Sequence, residues 1–432
     1  MGCGISTQSE IIRERMGEFQ VKNPSKEIEV KSGRQVLDQP HHKIGDYFTV
    51  DIDNKRFKYF ESRFTVLVQE ELERRNLSLN WESPDSFITS LMRNPKARKD
   101  VFDIIKRKGF DHPYRWICYR LFSQATNENF EFDKKLEDTR RELYPRLIRS
   151  VNKPVDEIVN KDVLRTARHK ELFQSFDAVG SQLLYDNCKA VGCFFPTTGY
   201  VQGMNFIMSF LLEVSGLEEF ETFNFLVNFF KKRKNLYFGI YENGLPLLRF
   251  LVFCFHRLLA KKKPRVSEAI KQMKLPDELW VTKWLISFFC FSVTKDFMIR
   301  IFDFLMVVDM FGLVYVSVLL TAQIGSVFLT QDIGVVAELL GNPQSMCSKL
   351  DYQKFVKSLK KVEESAQTRL SWLEEYNDSL NESDRASFKY FYDKTHQRLA
   401  VDFKENHNEW EHVSDYPDMD VESVVSSLKF EN

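Results

Sequence analysis

Residues 199–214 read GYVQGMNFIMSFLLEV. The second half is apolar apart from Ser209 and Glu213, and it reads as a helix sunk in a core. A helix starting at Asn205 would bury Phe206, Ile207, Phe210 and Leu211. One amide, Gln202, stands at its mouth between Gly199 and Gly203. Glycine allows close backbone approach and unusual dihedrals, so this loop can present Gln202 outward. From about residue 113 to 340 the rest of the chain has the same character. Apolar helical segments such as PYRWICYRLF, LRFLVFCFHRLLA and WVTKWLISFFCF are separated by short polar turns. There is no strand–helix–strand rhythm and no internal repeat, so the expected fold class is all-α.

The bulk composition narrows the function. Lys+Arg and Asp+Glu balance at 61 each over 432 residues, which gives no basic footprint for nucleic acid. Apolar residues make up 43%, with 39 phenylalanines, enough to fill a sizeable core. The cysteines at 3, 118, 188, 193, 254, 290 and 347 are odd in number and form no CxxC pair. That pattern speaks against a zinc site or a disulfide framework and fits a reducing compartment. Cys118, Cys254 and Cys290 lie in apolar company and are expected to be buried small hydrophobes. The eight histidines have no metal-ligand spacing: His41 and His42 fall in a polar arm and His169 in a loop. No phosphate-binding loop, nucleophile elbow or HExxH helix is present.

Met310 to Gln331 is a stretch of 22 residues without a charge. Its length meets the threshold for a membrane span. Gln323, Thr321, Ser317 and Ser326, with two glycines, favour instead a buried core helix broken near Gly325.

The chain opens MGCGIS. Gly2 and Ser6 meet the N-myristoylation pattern, and Cys3 offers an adjacent site for palmitate. One myristoyl chain binds membranes with a constant of only about 10⁴ per molar, so stable anchoring takes two signals. Gly2 and Cys3 would supply both; the competing reading is an ordinary start with an idle thiol. The expected organisation is a flexible arm over 1–45, a helical lead-in over 46–99 and a main domain over 100–345. An amphipathic helical extension over 346–404 and an acidic tail over 405–432 follow. In the extension, Phe355, Leu359, Val362, Ala366, Leu370 and Leu373 recur at three- and four-residue steps. They predict a solvent-facing amphipathic helix or a coiled-coil seam. The basic runs KKRK (231–234) and KKKPR (261–265) read as solvated turns or as contacts to anionic lipid.

Upstream of Gln202 lies VNKDVLRTARHKELF, residues 159–173. On a helix, Asp162 and Arg165 stand three apart, which sets carboxylate beside guanidinium. An isolated pair of this kind is a surface salt bridge worth a few tenths of a kcal/mol at most. Two features raise a functional reading: Arg165-Thr166 falls at an apparent helix end, and Gln202 is framed by glycines.

Together these stretches resemble the TBC-domain family, whose members activate Rab-type small GTPases. Val159-Asn160-Lys161-Asp162-Val163-Leu164-Arg165-Thr166 matches the family's I-x-x-D-x-x-R-T with Val for Ile. Tyr200-Val201-Gln202-Gly203-Met204 matches Y-x-Q-G-M in full. A third motif, R-x-x-x-W, is met by Arg115, with Tyr119 where Trp is usual and Trp116 displaced. Trp284 and Asp303 resemble later landmarks, with Phe302 in place of Trp. The resemblance covers about residues 100–340, and the aromatic changes are expected to concern core packing.

The resemblance implies that Arg165 is an arginine finger and Gln202 a glutamine finger, both supplied in trans. Asp162 would orient Arg165, and Thr166, Tyr200 and Gly203 would support the loops. Arg115 would make a structural or interface ion pair. GTP and Mg²⁺ would belong to the partner GTPase, so this chain needs no cofactor and has no autonomous activity. The expected setting is the cytoplasmic face of a membrane, whether plasma membrane, endomembrane or ciliary. The alternative is a non-catalytic adaptor of the same fold at a membrane or ciliary cytoskeleton, binding a protein partner through the C-terminal helices.

Overall fold

The computed structural model describes residues 30–31, 35–36, 43–44, 47–48, 102–103, 105–107, 109–110, 115–124, 134–166, 173, 178–196, 198–231, 236–359, 361–404 and 428. Gly2, Cys3, His41, His42, His169, most of the lead-in, the tail apart from Leu428, and the KKRK run apart from the backbone of Lys231 lie outside them. The described part is helical apart from two short antiparallel ladders. In these, β1 (Val30–Lys31) pairs with β2 (Gln35–Val36) and β3 (Lys43–Ile44) with β4 (Tyr47–Phe48). The chain divides into two compact units. One is built on residues 110–229, with 1–97 and 418–432; the other comprises 98–109 and 230–417.

The first unit contains α1 (Arg115–Gln124), α2 (Lys134–Arg149), α3 (Lys153–Val163), α4 (Val179–Phe194) and α5 (Met204–Ser215), and α6 (Glu219–Lys231) runs across its end. Helix α3 starts where Asn152 caps it: the Asn152 side chain accepts from the Val155 N–H, and Pro154 sits in the first turn, where no N–H is needed. Helix α5 ends on Gly216, whose φ of +70° closes the helix in the left-handed region. Helices α3, α4 and α5 pack on one another, and α2 packs on α4. Nearly every residue of α4 and α5 is buried, as the apolar run in 205–214 requires; Phe206, only partly buried, departs from the expected set. The aromatic substitutions in the third motif are core residues. Trp116 and Tyr119 are both buried and both pack on Phe225, with ring centroids 5.4 and 6.0 Å away. Trp116 also donates its indole N–H to Glu218 at 2.7 Å.

The second unit holds α7 (Pro246–Lys262), α8 (Pro264–Met273), α9 (Val281–Ile286), α10 (Lys295–Leu305), α11 (Phe311–Gln323), α12 (Gly325–Phe328), α13 (Ile333–Gly341), α14 (Pro343–Ser348), α15 (Tyr352–Leu359), α16 (Ala366–Ser379) and α17 (Glu382–Lys404). The uncharged stretch resolves into α11 and α12, broken at Ile324; α11 is buried against α7 and α15, while α12 packs on α8 and Ser326 and Leu329 are exposed. Among the described residues no helix is long and apolar enough to cross a membrane. WVTKWLISFFCF, expected as a single helical segment, breaks after Ile286. Phe288 and Phe289 take φ of +49° and +67°, an unfavourable region for such side chains, with both rings fully buried. Core burial here overrides the local helical preference.

The C-terminal seam is also broken. Its apolar spacing is continuous from Phe355 to Leu373, yet the helix stops at Leu359 and restarts at Ala366, where Ser365 caps it by accepting from the Thr368 N–H. Phe355, Leu359 and Leu373 are fully buried, and α16 and α17 pack on each other and on α7. The seam therefore faces the core of its own unit. Lys261 and Lys262 reach the buried Glu364 carboxylate at 2.6 and 2.8 Å, so two cations of the KKKPR run are tied down inside the unit. Cys254 is buried as expected, Cys290 is only partly buried, and the Cys118 side chain lies outside the described residues. The five described cysteines are free.

Candidate functional site

The site forms where α3 ends and where the loop before α5 begins. Asp162, in the last turn of α3, is 1% exposed. Its Oδ1 accepts from the Arg165 guanidinium and its Oδ2 from the Tyr200 hydroxyl at 2.7 Å. The Arg165 side chain is 54% exposed, and its guanidinium is held at Nη2 by a buried carboxylate. The short surface pair expected from spacing alone is thus anchored in the core at its acidic end.

Burial pushes the Tyr200 hydroxyl well above the usual phenol range. The nearby Cys188 thiol and Asp162 push it further the same way, and a backbone hydrogen bond from Asn205 opposes them. Tyr200 therefore remains a protonated donor to Asp162 at any physiological pH. Its backbone fits closely over α4 at Gly192. A Cβ on Gly192 would stand 2.9 Å from the Tyr200 Cβ and 3.0 Å from Val155 Cγ1, closer than side chains tolerate.

The loop that follows has two glycines at positive φ, Gly199 at +68° and Gly203 at +119°. Only glycine takes the second value readily, and it turns the chain sharply into α5. Gln202 sits at this turn and is exposed; among the described residues no hydrogen bond holds its amide. On the inner side, Asn205 is fully buried. Its Nδ2 donates to Thr166 Oγ1 at 2.7 Å and its Oδ1 accepts from the Gly203 N–H at 2.9 Å. Thr166 Oγ1 in turn donates to the Asp162 carbonyl at 2.5 Å. Sequence reading placed Asn205 only as the start of an apolar helix; its signal was a polar residue at a buried position, which a periodicity count passes over.

Arg115 stands apart from this cluster. It is buried and donates to the Phe110 carbonyl at 2.8 Å, bracing the entry to α1. Phe302 is fully buried in the second unit, against Phe288. Among the described residues no three His, Cys, Asp or Glu side chains are grouped so as to hold a metal ion.

The arrangement presents one cation and one amide, both exposed and both rooted in buried hydrogen bonds, on neighbouring loops. Residues 112–325 match the family model of the Rab-GTPase-TBC domain. The chain is a TBC-domain protein. Among curated relatives it is similar to the GTPase-activating protein GYP5 of Saccharomyces cerevisiae, 29% identical over 243 residues, which is 56% of this chain and 24% of that protein. GYP5 of Eremothecium gossypii is 24% identical over 269 residues, 61% of this chain and 29% of that protein. The TBC-domain chain thus spans about a quarter of the length of these relatives. Two solved structures share the fold. The Chlamydomonas flagellar RabGAP TBC domain superposes with a TM-score of 0.51 at 16% identity, covering 74% of this chain and 98% of that one. The Ypt/Rab-GAP domain of Gyp1p gives 0.51 at 15% identity, covering 71% and 97%.

A second titratable group lies in the same unit. Asp186, in α4, is almost fully buried, and its carboxyl is pushed up to about 8 by burial and by Glu219, with Lys189 opposing. Between pH 4 and 8 the folded chain holds a proton here that the unfolded chain releases, so stability falls as pH rises through that window. Asp186→Asn is expected to flatten this slope and to raise the melting temperature above that of wild type at pH 8, with little difference at pH 5. Thermal unfolding of both proteins across the pH range checks it.

Proposed function

We propose that this TBC-domain protein accelerates GTP hydrolysis by a Rab-type small GTPase through two side chains supplied in trans. Arg165 inserts toward the transferring phosphoryl group, and Gln202 orients the attacking water. The observation that carries the reading is the exposed guanidinium rooted in buried Asp162, with exposed Gln202 on the adjoining loop. A fold alone has no need for either group to face solvent from so ordered a base.

The chemistry follows from charge. In phosphoryl transfer, negative charge spreads over the γ-phosphoryl oxygens and the leaving bridge, and a guanidinium placed there stabilises it. Arginine suits the task because its charge is permanent and its fork planar. A glutamine amide donates and accepts at once, so it can hold water in line while contacting the GTPase backbone. Nucleotide and Mg²⁺ come with the GTPase. The two GYP5 relatives carry the name GTPase-activating protein, which supports the same reading.

The test is single-turnover GTP hydrolysis across a panel of Rab proteins with the full chain. Acceleration of one or a few Rabs supports the proposal and names the substrate. A folded protein that accelerates none returns the reading to a non-catalytic adaptor.

Anchoring to the cytoplasmic face of a membrane through acyl chains on Gly2 and Cys3 is part of the proposal and rests on the MGCGIS pattern. Gly2→Ala is expected to move the protein from the membrane pellet to the supernatant, and Cys3→Ser to make its binding salt-independent but weak, since one myristoyl chain gives only marginal affinity. Unchanged partitioning of Gly2→Ala after cell fractionation would remove acylation from the account.

A further inference from the structure

We infer that Asn205 is a positioning residue that couples the arginine and glutamine loops into one unit. The inference rests on the GTPase-activating reading above. An amide buried in an apolar helix is costly unless both its ends are bonded, and here both are. Its orientation is forced. The Gly203 N–H can only donate, so Oδ1 faces it and Nδ2 faces Thr166 Oγ1. Thr166 Oγ1 has given its own hydrogen to the Asp162 carbonyl, so it can only accept from Asn205.

A continuous relay results: Asp162 carbonyl, Thr166 hydroxyl, Asn205 amide, Gly203 N–H. Thr166 adjoins Arg165 in the chain and Gly203 adjoins Gln202. Gly203 sits at φ +119°, and its N–H, at the mouth of α5, has no helical carbonyl to meet. Asn205 supplies that acceptor and so fixes the turn that presents Gln202. In the same way its donor fixes Thr166 beside Arg165. A displacement on one loop is transmitted to the other, and both fingers must hold their places together for in-line attack, where small errors of placement cost about 10²-fold in rate.

The experiment uses the full chain with a Rab that wild type activates, loaded with GTP. Asn205→Ala removes both bonds. Asn205→Asp keeps the acceptor for Gly203 but sets oxygen against the Thr166 hydroxyl, and Thr166→Val breaks the relay from the other side. Each is expected to lower kcat by about 10²-fold with KM within about twofold of wild type. Asn205→Ala combined with Gln202→Ala is expected to lose less than the sum of the two single losses, because part of the Asn205→Ala loss acts through Gln202 and part through the arginine loop. Amide exchange gives a reading independent of activity: Thr166→Val should speed exchange at Gly203, across the loop gap, and leave Phe210 unchanged. If Asn205→Ala does not fold, Asn205→Asp and Thr166→Val carry the test. Folded variants with unchanged kcat, an additive loss with Gln202→Ala, or unchanged Gly203 exchange would each overturn the coupling. Failure of wild type to activate any Rab is seen before the variants are compared, and it overturns the reading beneath.

Discussion

Arg165→Ala is expected to lower single-turnover GTP hydrolysis on the responsive Rab by about 10³ to 10⁵-fold, the loss that the proposed arginine finger predicts. The protein stays folded, because the side chain removed is more than half exposed and makes its bond at the edge of the core. At 1.36 kcal/mol per tenfold, that loss is about 4–7 kcal/mol of transition-state stabilisation. Arg165→Lys keeps charge but not the planar fork and is expected to recover only a small part. Rates from rapid mixing, with melting temperatures measured in parallel, separate loss of chemistry from loss of fold. A variant as active as wild type would leave Arg165 a structural residue.

Asp162→Ala is expected to damage both fold and activity. The carboxylate is fully buried and serves two donors. Without it the Tyr200 hydroxyl, itself buried, loses its acceptor, a loss of about 1–3 kcal/mol in stability. The Arg165 side chain loses its tether, so binding must freeze a free arginine, at about 0.5–1.5 kcal/mol, or about two- to thirteenfold in rate. Asp162→Asn has nearly the same shape and keeps an acceptor for Tyr200. It is expected to spare most of the stability and to retain the same loss in rate, since the charged partner of Arg165 is gone. Denaturant unfolding and single-turnover rates on the two variants check the division. Equal loss of stability in both would mean that Tyr200 and Arg165 are not held separately.

Much of this was legible in sequence. The apolar runs marked helices α1, α5 and α7, and Gly325 marked the break between α11 and α12. The two motifs placed Arg165 and Gln202 at a helix end and a glycine turn, where the structure has them. What was not legible depends on contacts distant in sequence. The steps from Phe355 to Leu373 persist through a segment that leaves the helix, because spacing records which residues face the core and not whether the backbone stays helical between them. Phe288 and Phe289 take left-handed dihedrals for the sake of burial, which no local preference signals. The division near Phe229 falls inside α6, with no change of composition to mark it. Asn205 was hidden for a related reason: a buried amide has meaning only once its two partners, 39 and 2 residues away, are known.

The most direct test of supply in trans is to remove the GTPase's own catalytic glutamine. A responsive Rab with that residue changed to alanine is mixed with wild type and with Gln202→Ala, and single-turnover hydrolysis is followed. If Gln202 positions the water, wild type still accelerates the altered Rab close to its normal extent, and Gln202→Ala accelerates neither form. If wild type fails on the altered Rab while Gln202→Ala still activates the normal one, the water is held by the GTPase and the glutamine finger is wrong.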